Sequence, residues 1–282
     1  MKNIVKITLV LSFVFGSSAV LAHIKSHLLP EGCGSCHVGH GVSGEPLLAN
    51  AEENSCFQCH GSDENRDEMI SAGKLSPAAV LGDIESELKK MNHHPVVEGS
   101  GHSPTERLPL FTGAAPSHAE CVDCHNPHQR FDQGENLLYD VQGYSISGQY
   151  LEKSIHEYQI CLKCHTDYFG VDKSTRQLTR EFSLSAGSQH PVTKSGTGIN
   201  YPSLSASVPQ GQFMKCSDCH RSEDPNAPKG PHGSNHEYLL SGNYNTDIYA
   251  TETPYTYQFC YSCHDRASIL SDESFPYHNL HI

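Results

Sequence analysis

Tryptophan is absent from this 282-residue chain, and Lys and Arg together number 19 against 32 Asp and Glu. The formal charge of −13 argues against a nucleic-acid binder, which needs clustered basic residues, and leaves basic partners and metal cations open. Apolar residues make up 37%, thin for an ordinary side-chain core in one large domain or two. Methionine is scarce: beyond the initiator, Met69, Met91 and Met214 recur at no matched positions. Long apolar runs are missing except at Ile7–Phe15. With Lys2 and Lys6 in its neighbourhood and Val20-Leu21-Ala22 after it, that run reads as a cleaved secretory signal peptide over 1–22, too short and wrongly flanked to span a membrane. No Cys adjoins the cleavage point, so a lipid anchor is not expected there. The expected mature chain is exported, periplasmic or extracellular, with no transmembrane segment.

Against these shortages stand 12 Cys and 20 His. An exported chain with an even Cys count invites a disulfide framework, but the spacing rejects it. All 12 fall into Cys-x-x-Cys pairs: Cys33/Cys36, Cys56/Cys59, Cys121/Cys124, Cys161/Cys164, Cys216/Cys219 and Cys260/Cys263. Each pair is followed at once by a histidine: His37, His60, His125, His165, His220 and His264. Chance would give six successes in six with odds on the order of 10⁻⁷.

Cys-x-x-Cys-His attaches haem of the c type. Two thiols three positions apart add to the two vinyl groups on one porphyrin edge, and the next residue brings an imidazole under the iron. Zinc is the main alternative, because paired Cys also build four-thiolate sites, but it leaves six identically placed His unexplained. A thioredoxin-like redox motif accounts for one pair, not six. Six covalently bound haem c groups are therefore expected. They leave roughly forty residues for each, too few to wrap every macrocycle, so the haems themselves must supply most of the apolar volume.

The opposite faces of the irons call for His rather than Met, since Met is too scarce for general Met/His coordination. Candidates follow from an internal repeat, a unit of two motifs seen three times. Unit one runs His27, CGSCHVGH at 33–40, Pro46-Leu47-Leu48, CFQCH; unit two runs His94-Pro95-Val96, CVDCHNPH at 121–128, Leu137-Leu138, YQICLKCH. Unit three runs His190-Pro191-Val192, CSDCH, GPHGS at 230–234, Leu239-Leu240, YQFCYSCH. Each unit offers one His ahead of its first motif and one after it, giving His27, His40, His94, His128, His190 and His232 as the expected distal ligands. His40 and His128 lie three residues past His37 and His125. Three residues reach at most about 10 Å, too little to round a porphyrin, so each is expected to bind a neighbouring haem. His23, His278 and His281 remain as terminal candidates, in the same chain or the next subunit. His93, His102, His118, His156 and His236 do not repeat and are assigned no role.

The expected fold is mostly irregular, with short α-helices at the motifs, little or no β-sheet, and a packed haem chain as its core. The organisation read from sequence is the signal peptide over 1–22, unit one over 23–75, a bracing helix over 76–92, unit two over 93–185, and unit three with the terminal His segment over 186–282. Ser76 can cap the brace, Pro77 suits its first turn, and Leu81, Ile84, Leu88 and Met91 share a face, which would pack between units one and two. The segments 98–118 and 193–213, rich in Gly, Ser and Pro, read as surface loops.

On the six CxxCH sites, the His-Pro-Val strings at 94 and 190, and the CHNPH and GPHGS strings, nearly all of 23–282 resembles the exported multihaem c-type cytochromes with doubled CxxCH motifs, found in metal- and sulfate-reducing bacteria. It departs in the insertion between His220 and His232, and in the leading His27, which lacks Pro-Val. The resemblance implies an electron conduit of bis-His, low-potential haems exchanging electrons with other redox proteins or extracellular acceptors. Some members polymerise into haem filaments, in which a His of one subunit completes a haem of the next. The alternative is a multihaem reductase of nitrite, hydroxylamine or a sulfur oxyanion. It requires one open iron, and every motif here ends in His with further His in excess.

Overall fold

The computed structural model describes residues 29–39, 47–97, 119–128, 138, 140–166, 178–186, 189–196, 201, 203–273 and 276–281. The signal peptide, His23, His27, His40 and the segment 98–118 lie outside them. Within them no helix is long and apolar enough to cross a membrane.

Helices are short: α1 (Glu52–His60), α2 (Asp63–Ser71), α3 (Ile84–Glu87), α4 (Cys121–Cys124), α5 (Glu157–Cys161), α6 (Leu178–Glu181), α7 (Cys216–Cys219), α8 (Gln258–Tyr261), α9 (Arg266–Leu270) and α10 (His278–His281). A 3₁₀ turn covers Gly32–Ser35. The strands are two residues each: β1 (Asn92–His93), β2 (Gly143–Tyr144), β3 (Tyr150–Leu151) and β4 (Gly233–Ser234). They form two antiparallel pairs, β1 with β4 and β2 with β3. Most of the other described residues are loop and turn, as composition required. Buried apolar side chains such as Phe57, Met69, Leu75, Leu88, Ile160, Leu162 and Ile269 are scattered along the chain and form no large side-chain core.

The expected brace over 76–92 contracts to a single turn. Ser76 Oγ instead accepts the Ala78 N–H, and Asp83 caps α3 by accepting from Ser86 N–H at 2.9 Å. Asp83 competes better for the N-cap because Pro77 and Gly82 interrupt the residues ahead of it. Leu88 is buried at 2% exposure while Met91 is 79% exposed, so the supposed apolar face breaks at its end. Glu85 and Lys89 do pair, at 2.6 Å. The brace reaches unit one, as expected, and also unit three. It meets α1 of unit one on one side, and on the other β1 pairs with β4 of unit three. Lys90 Nζ reaches Glu87 at 2.8 Å, Ser222 Oγ at 2.7 Å and Glu223 at 3.3 Å.

Gly233 makes that crossing possible. A Cβ there would stand 1.8 Å from the Glu87 carbonyl oxygen, so backbone meets backbone with no side chain between. Gly233→Ala is expected to destabilise the protein by roughly 2–4 kcal/mol through forced separation of the two segments. Thermal unfolding of the holoprotein reads it as a lowered Tm.

Segment 193–213, expected as a surface loop, is partly structural. Ser205 N–H donates to the Cys263 carbonyl at 2.8 Å, and Asp265 N–H to the Ser203 carbonyl at 2.7 Å. The Ser203 and Ser268 hydroxyls meet at 3.0 Å. This strip lies along the sixth motif.

Candidate haem-attachment sites

Two repeated strings have clear local causes. In His-Pro-Val, Val96 N–H donates to the His94 carbonyl and Val192 N–H to the His190 carbonyl, both at 2.8 Å. Pro suits the centre of this tight turn because its φ is fixed and it has no N–H to satisfy. The Pro carbonyls then accept from Ala119 (3.2 Å) and Met214 (2.9 Å), each two residues before a motif. The leading His is thereby tied to the entry of the next motif.

The Leu-Leu strings close the exit. Val38 N–H donates to the Leu47 carbonyl at 2.8 Å and Arg221 N–H to the Leu239 carbonyl at 2.9 Å. His37 and His220 form bridges with Leu48 and Leu240. Leu47 and Leu239 take φ of 60° and 58°, a left-handed conformation that costs a non-glycine residue of order 1–3 kcal/mol. Tyr238, with φ of 58°, aims its carbonyl at His220 Nδ1, 2.7 Å away. The same device serves His94, whose Nδ1 meets the Pro231 carbonyl at 2.6 Å. A carbonyl on Nδ1 fixes the N–H there and leaves Nε2 as the nitrogen with a lone pair to offer.

Four expected distal His stand opposite a motif His. His128 faces His37 with ring centres 5.8 Å apart and planes 6° from parallel. His232 faces His125 at 6.2 Å and 22°. His94 faces His165 at 6.3 Å and 74°, and His190 faces His264 at 6.3 Å and 51°. Two trans imidazoles on one metal, each bonded at about 2.0 Å and each with its centre ~1.2 Å further out, lie roughly 6.3 Å apart. The residues therefore fit an iron between each pair. His220 faces no imidazole among the residues whose side chains are described, which do not include those of His278 and His281 in α10. His156, assigned no role from sequence, stacks on Phe213 at 4.6 Å.

Burial prepares these imidazoles as neutral ligands. Desolvation, then the neighbouring His94 and His220, lowers His165 to about 4. His232 falls to about 4 through burial and then His125, His94 and His60. His94 is also lowered, first by burial and against its Pro231 hydrogen bond. An imidazole must shed its second proton to bind metal, and these are already disposed to.

None of the 12 Cys is in a disulfide, and no four-thiolate cluster forms among the described residues. Instead consecutive motifs lie near one another, in sequence order. Cys59 is raised to about 11 by burial and then by nearby Cys36. The Cys121 and Cys56 sulfurs lie within 4.8 Å of each other, and Cys161 is near Cys216. Cys124, raised to about 12, is near Cys164, and Cys219, also about 12, is near Cys263, burial being the first cause in both. Motif one thus meets two, two meets three, and so on to six. Second Cys meet within a unit, and first Cys meet between units.

Sequence reasoning missed the carboxylates at the unit junctions. Glu52 of α1 accepts the Val122 N–H of motif three at 3.0 Å. Glu157 of α5 accepts the Ser217 N–H and hydroxyl of motif five at 2.6 and 2.8 Å. Both lie four residues before the first Cys of an even motif, a visible signal; the matching position in unit three is Thr256. The buried Lys163 ammonium also donates to the Asp123 carbonyl, tying motif four to motif three.

Comparison with curated proteins and with solved structures gives no match. The model of the doubled CXXCH motif family matches residues 27–65 and 208–269, spanning parts of units one and three. The chain carries doubled CxxCH haem-binding motifs, consistent with a multihaem c-type cytochrome.

Proposed function

We propose that this chain is a hexahaem electron conduit of the periplasm or cell exterior, with every iron held between two His. The observation that carries this is the set of four facing imidazole pairs at 5.8–6.3 Å. Covalent haem supplies reversible one-electron chemistry. The Cys of the six motifs would anchor it by thioethers, and the facing His pairs would hold the iron and leave no place for other ligands. Bis-His ligation keeps potentials low relative to Met/His, and the motif contacts set a path in sequence order.

The pairing has a rule. The leading His of a unit, His94 or His190, faces the second motif of its own unit. The trailing His, His128 or His232, faces the first motif of the unit before. By this rule His27 serves His60. The rule assigns no partner to His40 or to His220. His40 of one copy then completes the His220 site of another, and unit one follows unit three without end. This supports a haem filament, and it moves the joining role from the termini to His40.

Electron paramagnetic resonance tests the ligation. Assembled, oxidised protein is expected to show low-spin ferric haem throughout. A high-spin signal that shifts with nitrite or cyanide would instead establish the reductase reading. The angle between imidazole planes sets the splitting of the iron dπ orbitals. The pairs near parallel (His37/His128 and His125/His232) should give ordinary rhombic low-spin spectra. His94/His165 at 74° should give a strongly anisotropic signal with a large principal g value. Replacing His94 by Ala should remove that component first.

A further inference from the structure

The two unit junctions are built alike but not identically. At the second, Glu157 has two donors from Ser217. At the first, Glu52 has the single Val122 N–H, because Val122 has no hydroxyl. The Glu52 carboxylate also lies within 4.8 Å of both the Cys56 and Cys121 sulfurs. Those sulfurs are the attachment points of consecutive groups in the chain, so this one carboxylate stands between two redox centres.

We propose that Glu52 is a proton-binding site linked to reduction of the second and third haems. The reading rests on haem attachment at these two motifs, and spin state reports that separately. An electron supplied by a donor redox protein adds negative charge beside the carboxylate. Glu52 responds by taking a proton from water, so one electron and up to one proton arrive together, and both leave on reoxidation.

The surroundings favour this exchange near neutrality. Burial raises Glu52 to about 7 against the lowering by Val122 N–H, with Glu120, Glu53 and Asp123 raising it further. From α4, Asp123 accepts the Glu120 N–H at 2.8 Å. The other elements packed against α1 carry charge as well: on α3 Glu85 pairs with Lys89 and Glu87 with Lys90, while α2 holds the Asp63–Arg66 pair together with Glu64, Asp67 and Glu68. The direction follows. Reduction raises the affinity of Glu52 for its proton, so the potential falls as pH rises between the oxidised-state and reduced-state values. Outside that interval it is flat with respect to this group.

Spectroelectrochemical titration of the holoprotein from acid to alkaline pH tests the proposal. Wild type should show haem potentials falling with pH around neutrality. Glu52→Gln, which keeps an acceptor oxygen for Val122 N–H, should lose that component while its haems stay low-spin. Val122→Ser supplies the hydroxyl that Ser217 supplies at the other junction, and should move the pH-dependent interval to lower pH. A slope retained in Glu52→Gln overturns the proposal and leaves the proton to other groups, such as the haem propionates. An interval unmoved in Val122→Ser overturns it as well.

Discussion

His128→Ala is expected to turn one haem in six high-spin, and the affected haem belongs to the motif of Cys33 and Cys36, not to the adjacent Cys121 motif. The reason is geometric. His128 lies three residues from His125 but faces His37 across 5.8 Å. Removing it strips the sixth ligand from the first haem and cuts a cross-link between units one and two. His232→Ala should do the same to the haem at His125, which it faces at 6.2 Å. Loss of an axial imidazole should raise the affected potential by on the order of 0.1 V, a fraction of the roughly 0.8 V span that axial ligands control. Resonance Raman or paramagnetic resonance reads spin state, and stepwise reduction reads potential. His156→Ala is the control: its ring lies on Phe213, and all six haems should stay low-spin. A wholly low-spin spectrum in His128→Ala would reject the assigned pairing.

His40→Ala should abolish filaments outright and leave monomers in which one haem, that of His220, is high-spin. The two trailing His that face a motif both reach back to the preceding unit, and His220 has its Nδ1 already engaged by the Tyr238 carbonyl, with Nε2 left to ligate. A coordinate bond at every subunit junction makes assembly all-or-none, so a single imidazole carries the effect. Adding free imidazole to the variant should restore a low-spin spectrum without restoring assembly. Truncation before Phe275, which removes His278 and His281, should leave filaments intact. Electron microscopy and sedimentation distinguish these results. Filaments persisting in His40→Ala, or lost on the truncation, would reject His40 as the joining ligand.

Much of the site was legible because its chemistry is local. Two thiols and an imidazole within five residues can serve one porphyrin whatever the rest of the chain does. The His-Pro-Val and Leu-Leu strings are visible as repeats; each His-Pro-Val is a local hydrogen-bonded turn, whereas Leu47 and Leu239 accept from Val38 and Arg221 at the exits of their motifs. What failed was longer in reach. The helix over 76–92 was read from apolar spacing, yet Asp83 won the cap and only Ile84–Glu87 is helical. Segment 193–213 looked like a loop by composition, but it borders motif six.

By itself, the sequence determined the chemistry of attachment, the six motif sites, the thin apolar core and the preference for short helices. Each depends on residue type and spacing within a few positions. Only the tertiary structure decided which imidazole faces which, that consecutive motifs lie near one another, and that Glu52 lies beside both Cys56 and Cys121. Those facts depend on how separate units approach each other. The approach is set by close backbone packing at Gly233, by the Glu52 and Glu157 hydrogen bonds and by Lys90. No spacing rule within one unit encodes them.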